Sequence, residues 1–311
     1  MSATAKLAGF AAVLVLLFGA AALAGETIGP NRAESGPPVH AGGHADANAS
    51  DDTDGAREKE TESTQTHRVR LARGADIVRG LAVSDNGLKL SLQQTEFERG
   101  RRTMLDFGIV GNDGERVRDF DVEHEKRMHL IVVRRDGKGF QHLHPQLGND
   151  GIWRVGLTLP DAGAYRVFAD FKRAGQVQTL AADLAVDGDA DYRPLSPAAA
   201  TIETDDGYRV RLDGGRPGAG READLRFTVT RNGQTVHTEP YLGAGGHLVA
   251  LREGDLAFLH VHPGGHGERR SHDDAVAFVS EFPSAGRYRL YLQFKHEGRV
   301  HTAEFTKEVS R

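Results

Sequence analysis

Residues 128–145 read MHLIVVRRDGKGFQHLHP, and residues 246–263 read GHLVALREGDLAFLHVHP. The two stretches align without gaps, and each consists of an apolar run, a turn signal and a Phe-x-His-x-His-Pro ending. Flanking segments repeat in the same order, with residues 85–92 matching 205–212 and residues 159–179 matching 282–302. A colinear repeat of this length is typical of two tandem domains rather than of a solenoid.

Each repeat consists of short alternating segments separated by turn signals such as Asp85-Asn86-Gly87 and Asn149-Asp150-Gly151. The segments YRVFADF and YRLYLQF are rich in aromatic and branched residues, as strands are. No long helical periodicity follows the apolar N-terminus. The pattern therefore predicts an all-β fold of two tandem immunoglobulin-like antiparallel β-sandwich domains, at residues 67–190 and 195–311.

Residues 1–25 include an apolar segment without any charge, from Leu7 to Gly25. It is long enough to span a bilayer as a helix, and it ends in a small-x-small pattern suited to signal-peptide cleavage. A signal peptide and a retained membrane anchor both stay open, and both place the rest of the chain outside the cytoplasm. Residues 26–66 are polar and lack aromatic residues, which predicts a disordered linker.

Composition argues against several classes of function. The net charge of the 311-residue chain is −5, so no basic field favours nucleic acid. The absence of Cys excludes a disulfide framework, a thiolate zinc site and a cysteine nucleophile. Serine-hydrolase elbows, Walker loops and His-Glu-x-x-His motifs are also missing from the sequence. We therefore expect a protein that is not an enzyme, with a metalloenzyme as a less favoured possibility.

Histidines stand at equivalent positions in the two aligned blocks. They are His129, His142 and His144 in the first block, and His247, His260 and His262 in the second. Strand alternation directs the His142 and His144 side chains to one face. A two-residue turn at Asp136-Gly137 then places His129 directly across from His144, and Ile131 across from His142.

The second block gives the same register from a different turn dipeptide, Gly254-Asp255. With that turn, His247 lies across from His262, and Val249 lies across from His260. Three imidazoles on one face form a nitrogen site suited to Cu(II) or Zn(II). The sequence therefore predicts one metal site in each repeat. The alternative is a buried polar network of structural histidines in a non-enzymatic envelope scaffold or adhesion module.

Further histidines lie close to these trios in the sequence. His124 precedes the first trio and is a possible fourth ligand. His266 and His272 lie in an insertion that follows His262, and are possible ligands on a loop. His296 and His301 have no histidine counterparts in the first repeat, and we interpret them as local polar residues.

The stretches HEKRMHLIVVRRDGKGFQHLHP (residues 124–145) and EPYLGAGGHLVALREGDLAFLHVHP (residues 239–263) resemble a group of uncharacterised exported or membrane-anchored proteins of high-GC Gram-positive bacteria. More distantly, both repeats are similar to the YtkA-like and CopC-like extracytoplasmic β-sandwich domains. The resemblance implies an immunoglobulin-like sandwich concerned with copper or another heavy metal at the cell envelope. CopC-type proteins commonly begin the mature chain with a ligand histidine, which this sequence lacks, so that copper-site pattern does not transfer.

Taken with the histidine trios, these features predict an extracytoplasmic copper- or zinc-binding protein that acts in metal delivery or resistance. Its expected partners are the metal ion and, if the N-terminal helix is not cleaved, the membrane.

Overall fold

The computed structural model of the protein describes residues 78–259, 261–263 and 275–311, with the backbone alone at residues 262–263. The predictions for residues 1–25 and 26–66 lie outside the described residues. Within the described part of the chain, no helix is long and apolar enough to cross a membrane. This part is all-β and forms two tandem immunoglobulin-like sandwiches, as the sequence predicts.

Strands β1 to β11 are, in order, Val78–Arg79, Ser84–Asp85, Leu88–Leu92, Glu96–Phe97, Arg102–Val110, His129–Arg134, Gln141–Leu143, Gln146–Leu147, Trp153–Thr158, Gly163–Arg173 and Gln176–Val186. Ten of them build the first repeat from two sheets. The outer sheet has the order β2-β3-β5-β9-β8, and the inner sheet has the order β4-β11-β10-β6-β7. Neighbouring strands are antiparallel except β4 and β11.

Strands β12 to β21 are Thr201–Glu203, Tyr208–Asp213, Glu222–Arg231, Gln234–Thr235, His247–Arg252, Phe258–Leu259, His262–Pro263, Ala275–Glu281, Gly286–His296 and Arg299–Val309. The outer sheet of the second repeat has the order β12-β13-β14-β19-β18, with β15 paired to β14. The inner sheet has the order β1-β17-β16-β20-β21. Its edge strand β1 comes from the start of residues 67–190, which the repeat pattern assigned to the first sandwich. This crossover was not predicted.

Each sandwich has its own apolar core between its two sheets. In the first repeat, Phe107 and Phe120 pack on the buried Trp153. Each repeat also has a tyrosine whose hydroxyl donates to the carbonyl four residues earlier: Tyr165 to Asp161 at 3.0 Å, and Tyr288 to Ser284 at 2.8 Å. Such a tyrosine corner is a hallmark of immunoglobulin-like sandwiches, and it fixes the turn before the long strand.

The two inner sheets pack face to face. Strand β6 is buried at all six positions, because one face meets its own core and the other meets the second repeat. Phe140 stacks on Tyr291 with ring centroids 4.0 Å apart, and Phe168 contacts Phe258 at 5.5 Å. In the repeat alignment Phe140 matches Phe258 and Phe168 matches Tyr291. The repeats therefore dock through equivalent surfaces, related by an approximate two-fold axis.

The structure confirms the predicted register where the strands of each hairpin pair. In the first, Ile131 pairs with His142; in the second, Leu251 pairs with Phe258. Both turns are longer than the two residues that the sequence predicts. The first is closed by the Arg134 N–H donating to the Lys138 carbonyl, and the second by the Arg252 N–H donating to the Ala257 carbonyl.

Gly139 explains why the longer first turn leaves the register unchanged. A three-residue turn between Arg134 and Lys138 by itself shifts the pairing by one residue relative to a two-residue turn. Gly139 has a φ of 63° and lies between this turn and β7. One extra residue in the left-handed region is a bulge, and it restores the register that brings the histidines to one face.

Gly80 lies between β1 and β2, where the chain passes between the two inner sheets. Its φ is 66°, and a Cβ here would lie 2.6 Å from Phe168 Cδ1. Arg166 holds this segment by donating from Nε to the Gly80 carbonyl and from Nη2 to the Leu81 carbonyl. The residue therefore needs both a left-handed backbone and the absence of a side chain.

We expect Gly80→Ala to lower the free energy of unfolding by about 2–4 kcal/mol, because strain and overpacking add. Gly175→Ala is the matched control, since Gly175 has a φ of 78° and no atom within 4 Å of a Cβ. It should show the backbone strain alone, about 1–2 kcal/mol. Urea unfolding of the two variants measures the difference. Equal losses in the free energy of unfolding would show that Phe168 moves to accommodate the added methyl group.

Candidate metal centre

Five histidines meet at one end of the interface between the inner sheets. This histidine cluster consists of His124, His129, His142, His144 and His247. The first trio converges as predicted, since one ring nitrogen from each of His129, His142 and His144 lies within 4.8 Å of the others. The hairpin explains this convergence: His129 begins β6, His142 lies in the middle of β7, and His144 follows the end of β7.

His247 lies where the sequence prediction did not place it. Its ring centroid is 4.5 Å from that of His142, and its ring stacks on His129 at 5.7 Å. His247 therefore lies against the first trio, a position that the prediction of a separate site in each repeat did not include. The physical reason is the docking of equivalent faces, which brings the matched residues His129 and His247 together near the two-fold axis.

The other predicted ligands of the second repeat are only partly described. The backbone of His262 pairs with Val279 in the outer sheet, so the predicted pairing of His262 with His247 is wrong. The chain changes sheets after β17, and this takes His262 out of the hairpin ladder. His260, His266 and His272, and the side chain of His262, lie outside the described residues.

Hydrogen bonds orient two of the rings. His129 Nε2 lies 3.1 Å from the Glu123 carbonyl, which accepts only, so this nitrogen carries a proton. His142 Nδ1 lies 2.6 Å from Gln293 Oε1 and donates to it. The remaining nitrogens, His129 Nδ1 and His142 Nε2, then face each other across 3.0 Å with their lone pairs. A cation bound by both nitrogens relieves this repulsion, whereas with the Gln293 amide turned over one nitrogen donates to the other.

Two more ring nitrogens in the cluster lack partners. His144 Nε2 and His247 Nδ1 are buried, and within the described residues neither has a hydrogen-bond partner. A buried polar atom without a partner typically costs about 1–3 kcal/mol. The cluster therefore contains nitrogen donors whose arrangement is unfavourable in the absence of a ligand.

Burial keeps these imidazoles neutral. It lowers the pKa of His142 to about 3 and that of His144 to about 4, with repulsion from His129 adding to both shifts. Burial also lowers the pKa of His129 and takes that of His247 well below its ordinary value. Neutral imidazole is the form that binds a metal ion, so at neutral pH the ligands need no deprotonation.

Asp170 and Gln293 belong to this site, although the sequence analysis missed both. Asp170 pairs with His129 across β10 and β6, shares its face, and accepts a hydrogen bond from Thr179 Oγ1 at 2.6 Å. Burial raises the pKa of the Asp170 carboxyl. Gln293 pairs with His247 in the same way. Their signal in the sequence was a polar residue at the same position of the apolar strands YRVFADF and YRLYLQF.

His124 lies at the rim of the cluster, with its ring centroid 6.2 Å from that of His129 and 6.3 Å from that of His247. It occupies a tight turn together with Glu125, and their φ values are 47° and 65°. Non-glycine residues are uncommon in this region, although histidine is enriched there. The turn keeps His124 near the site, but His247 lies closer to His142 than His124 lies to any ring of the cluster.

His296 and His301 make local contacts away from the cluster. Tyr208 Oη lies 2.8 Å from His296 Nδ1, and His301 Nδ1 pairs with Asp206. In the first repeat, the contact equivalent to that of His301 with Asp206 joins Asn86 to Gln178 at 3.2 Å. Both contacts tie a turn to the last long strand of their repeat, which agrees with the interpretation of local polar residues.

A family model describes both sandwiches. The model of a domain of unknown function, DUF8832, matches residues 82–188 and again residues 201–311. The chain belongs to this family. The two DUF8832 matches coincide with the two sandwiches, so the histidine cluster lies between two copies of the family's domain. No curated protein matches the chain.

Several solved structures are similar to the chain at low sequence identity and low TM-score. The Escherichia coli adhesin FdeC is 15% identical over 74% of this chain and 66% of its own, with a TM-score of 0.25. The Yersinia pseudotuberculosis adhesin InvE is 9% identical over 76% of this chain and 61% of its own, with a TM-score of 0.23. A titin fragment, A168169, is 11% identical over 72% of this chain and 98% of its own, with a TM-score of 0.20.

Proposed function

We propose that this DUF8832 protein binds a Cu(II) or Zn(II) ion through His129, His142 and His144, and that it acts without catalysis in metal delivery or resistance. The observation that carries the proposal is the convergence of one ring nitrogen from each of these three histidines within 4.8 Å, with His129 Nδ1 and His142 Nε2 3.0 Å apart. Two nitrogens bound to one such ion at about 2.0–2.1 Å lie about 2.9–3.4 Å apart for angles of about 90–110°.

The surroundings support a cation at this position. His144 contributes a third nitrogen within 4.8 Å, and the Asp170 carboxyl shares the face with His129. Gln293 and the Glu123 carbonyl orient the ligand rings through their second nitrogens, as outer-shell partners do in metal sites. All donors are nitrogen or oxygen, which suits Cu(II) and Zn(II).

The proposal also places the protein outside the cytoplasm. The apolar segment at residues 7–25 supports this location, whether it acts as a signal peptide or as a membrane anchor. The resemblance to YtkA-like and CopC-like domains leads to the same expectation. Outside the cytoplasm, the proposed binding partner is the metal ion. If the N-terminal helix is not cleaved, the protein also contacts the membrane through it.

Titration calorimetry of the full-length chain with ZnCl₂ and CuCl₂ at about pH 7 tests the proposal. We expect a Kd of about 1 µM or tighter, and a loss of at least about 100-fold in His142→Ala, because even outer-shell partners contribute about 10–100-fold. His296→Ala is the control, since His296 lies outside the cluster. A wild type that binds neither ion, or a His142→Ala variant that keeps the wild-type affinity, would contradict the proposal.

A second candidate is a scaffold or adhesion module in which the histidines are structural. One observation favours it: with the Gln293 amide turned over, a neutral chain of hydrogen bonds runs from Gln293 through His142 and His129 to the Glu123 carbonyl. In that network every contact is satisfied without an ion. Gln293 must then donate to His142 rather than accept from it.

Gln293→Glu separates the two candidates, because a carboxylate only accepts. Under the metal proposal the variant still orients His142 and keeps or raises the affinity for Zn(II). Under the scaffold proposal it loses a donor, and the free energy of unfolding of the metal-free protein falls by about 1–3 kcal/mol. Urea unfolding in a chelator and zinc titration of the same variant decide between them.

A further inference from the structure

We infer that the metal site is shared between the two repeats, with His247 of the second repeat as the fourth ligand of the ion held by the first trio. The inference rests on the proposed function and changes its stoichiometry, because the chain then holds one ion at the interface rather than one ion in each repeat.

The unpartnered nitrogen of His247 supports this role. Its Nδ1 is buried without a hydrogen-bond partner among the described residues, and its ring lies 4.5 Å from that of His142. His144 Nε2, in the first repeat, is likewise buried without a hydrogen-bond partner among the described residues. One ring nitrogen from each of His129, His142 and His144 lies within 4.8 Å of the others, and His247 Nδ1 would complete a set of four imidazole nitrogens. Four nitrogen donors suit the tetrahedral geometry of Zn(II).

The second repeat also orients a ligand of the first. Gln293 Oε1 lies 2.6 Å from His142 Nδ1, and this contact exists only while the inner sheets are docked. The stacking of His247 on His129 likewise joins the two repeats. The ion therefore has ligands and outer-shell partners on both sides of the interface.

In this arrangement the bound ion links the two repeats. An ion that binds the docked form better than the separated form must stabilise docking by the same coupling free energy. Variants that loosen docking should then weaken metal binding, and the ion should hold the repeats together. If the ion were bound only by the trio on one hairpin of the first repeat, His247 would not couple metal binding to docking of the repeats.

Zinc titration of the full-length chain tests the inference with ZnCl₂ alone as the probe. We expect one ion per chain in the wild type, and an affinity at least about tenfold lower in His247→Ala and in His247→Gln, which keeps the size of the side chain. His296→Ala serves as the control and should match the wild type. Co(II) in place of Zn(II) reports the ligand set, and its visible spectrum should change in His247→Gln.

Each result has one meaning. Two ions per chain with similar affinity would overturn the inference, as would His247 variants with wild-type affinity and an unchanged Co(II) spectrum. Either result leaves the proposed function standing, because the first trio still binds. A wild type that binds no ion overturns the proposed function itself.

Discussion

Tyr291→Ala is expected to separate the two repeats while each sandwich stays folded. The Tyr291 side chain is fully buried between the inner sheets, stacks on Phe140 at 4.0 Å, and donates a hydrogen bond to the Gly137 carbonyl at 2.7 Å. Truncating a buried aromatic residue costs about 3–5 kcal/mol, and here the loss falls on the interface. Small-angle scattering should show a larger radius of gyration, and urea unfolding should lose cooperativity between the repeats.

Tyr291→Phe is the matched control for this prediction. It keeps the ring that stacks on Phe140 and removes only the hydroxyl, so we expect a loss of about 1 kcal/mol and no change in the radius of gyration. If the alanine variant scatters like the wild type, the inner sheets do not depend on this aromatic contact, and the β1 crossover at Gly80 carries the docking.

Acid is expected to destabilise the metal-free protein well above the pH at which its carboxylates titrate. The pKa of His142 is about 3 and that of His144 is about 4 in the folded protein, whereas the unfolded chain takes up these protons near 6.5. The folded-state pKa values are depressed, so the unfolded state binds more protons. Their stabilising contribution is fully present above about pH 6.5 and is lost as the pH falls toward 3–4.

Each imidazole that stays neutral in the folded state costs about 1.4 kcal/mol per pH unit below its unfolded pKa. Allowing for solvent screening at His144, we expect a loss on the order of 2–3 kcal/mol between about pH 7 and 5. The raised pKa of Asp170 acts in the opposite direction and offsets part of this loss at lower pH. Lys126 and Glu123 on the neighbouring turn affect the local potential with opposite signs.

Urea unfolding at several pH values in the presence of a chelator measures this slope. The double variant His142→Gln, His144→Gln removes two of the titrating groups and should show a shallower dependence on pH in this range. An identical slope in the wild type and the double variant would show that the acid sensitivity comes from elsewhere in the chain.

Strand pairing was predictable because the relevant physics is local. Side-chain alternation and turn chemistry determine which residues of one hairpin face each other, so the pairing of Ile131 with His142 follows from 18 contiguous residues of sequence. The turn lengths were wrong, but the bulge at Gly139 absorbed the difference. The continuous apolar run at residues 130–133 also indicates burial on both faces of the strand. It does not indicate which surface packs against the second face.

The docking of the two repeats could not be predicted from local sequence patterns. Nothing in the order of residues shows that the face bearing His129 packs on the face bearing His247, because this contact joins residues more than a hundred positions apart. The same holds for β1, which pairs with Leu259 and Phe258 of the other repeat. The role of Gln293, which orients His142 across the interface, depends on that contact as well.

By itself, the sequence determined the duplication, the sandwich fold and the convergence of His129, His142 and His144 on one face, since strand periodicity and hairpin register are properties of short segments. Only the tertiary structure decided that the His247 ring lies beside this trio and that the histidine cluster lies between the repeats. The reason is that burial of the apolar faces of the two inner sheets favours docking through equivalent surfaces, and equivalent histidines then meet at the axis that relates them.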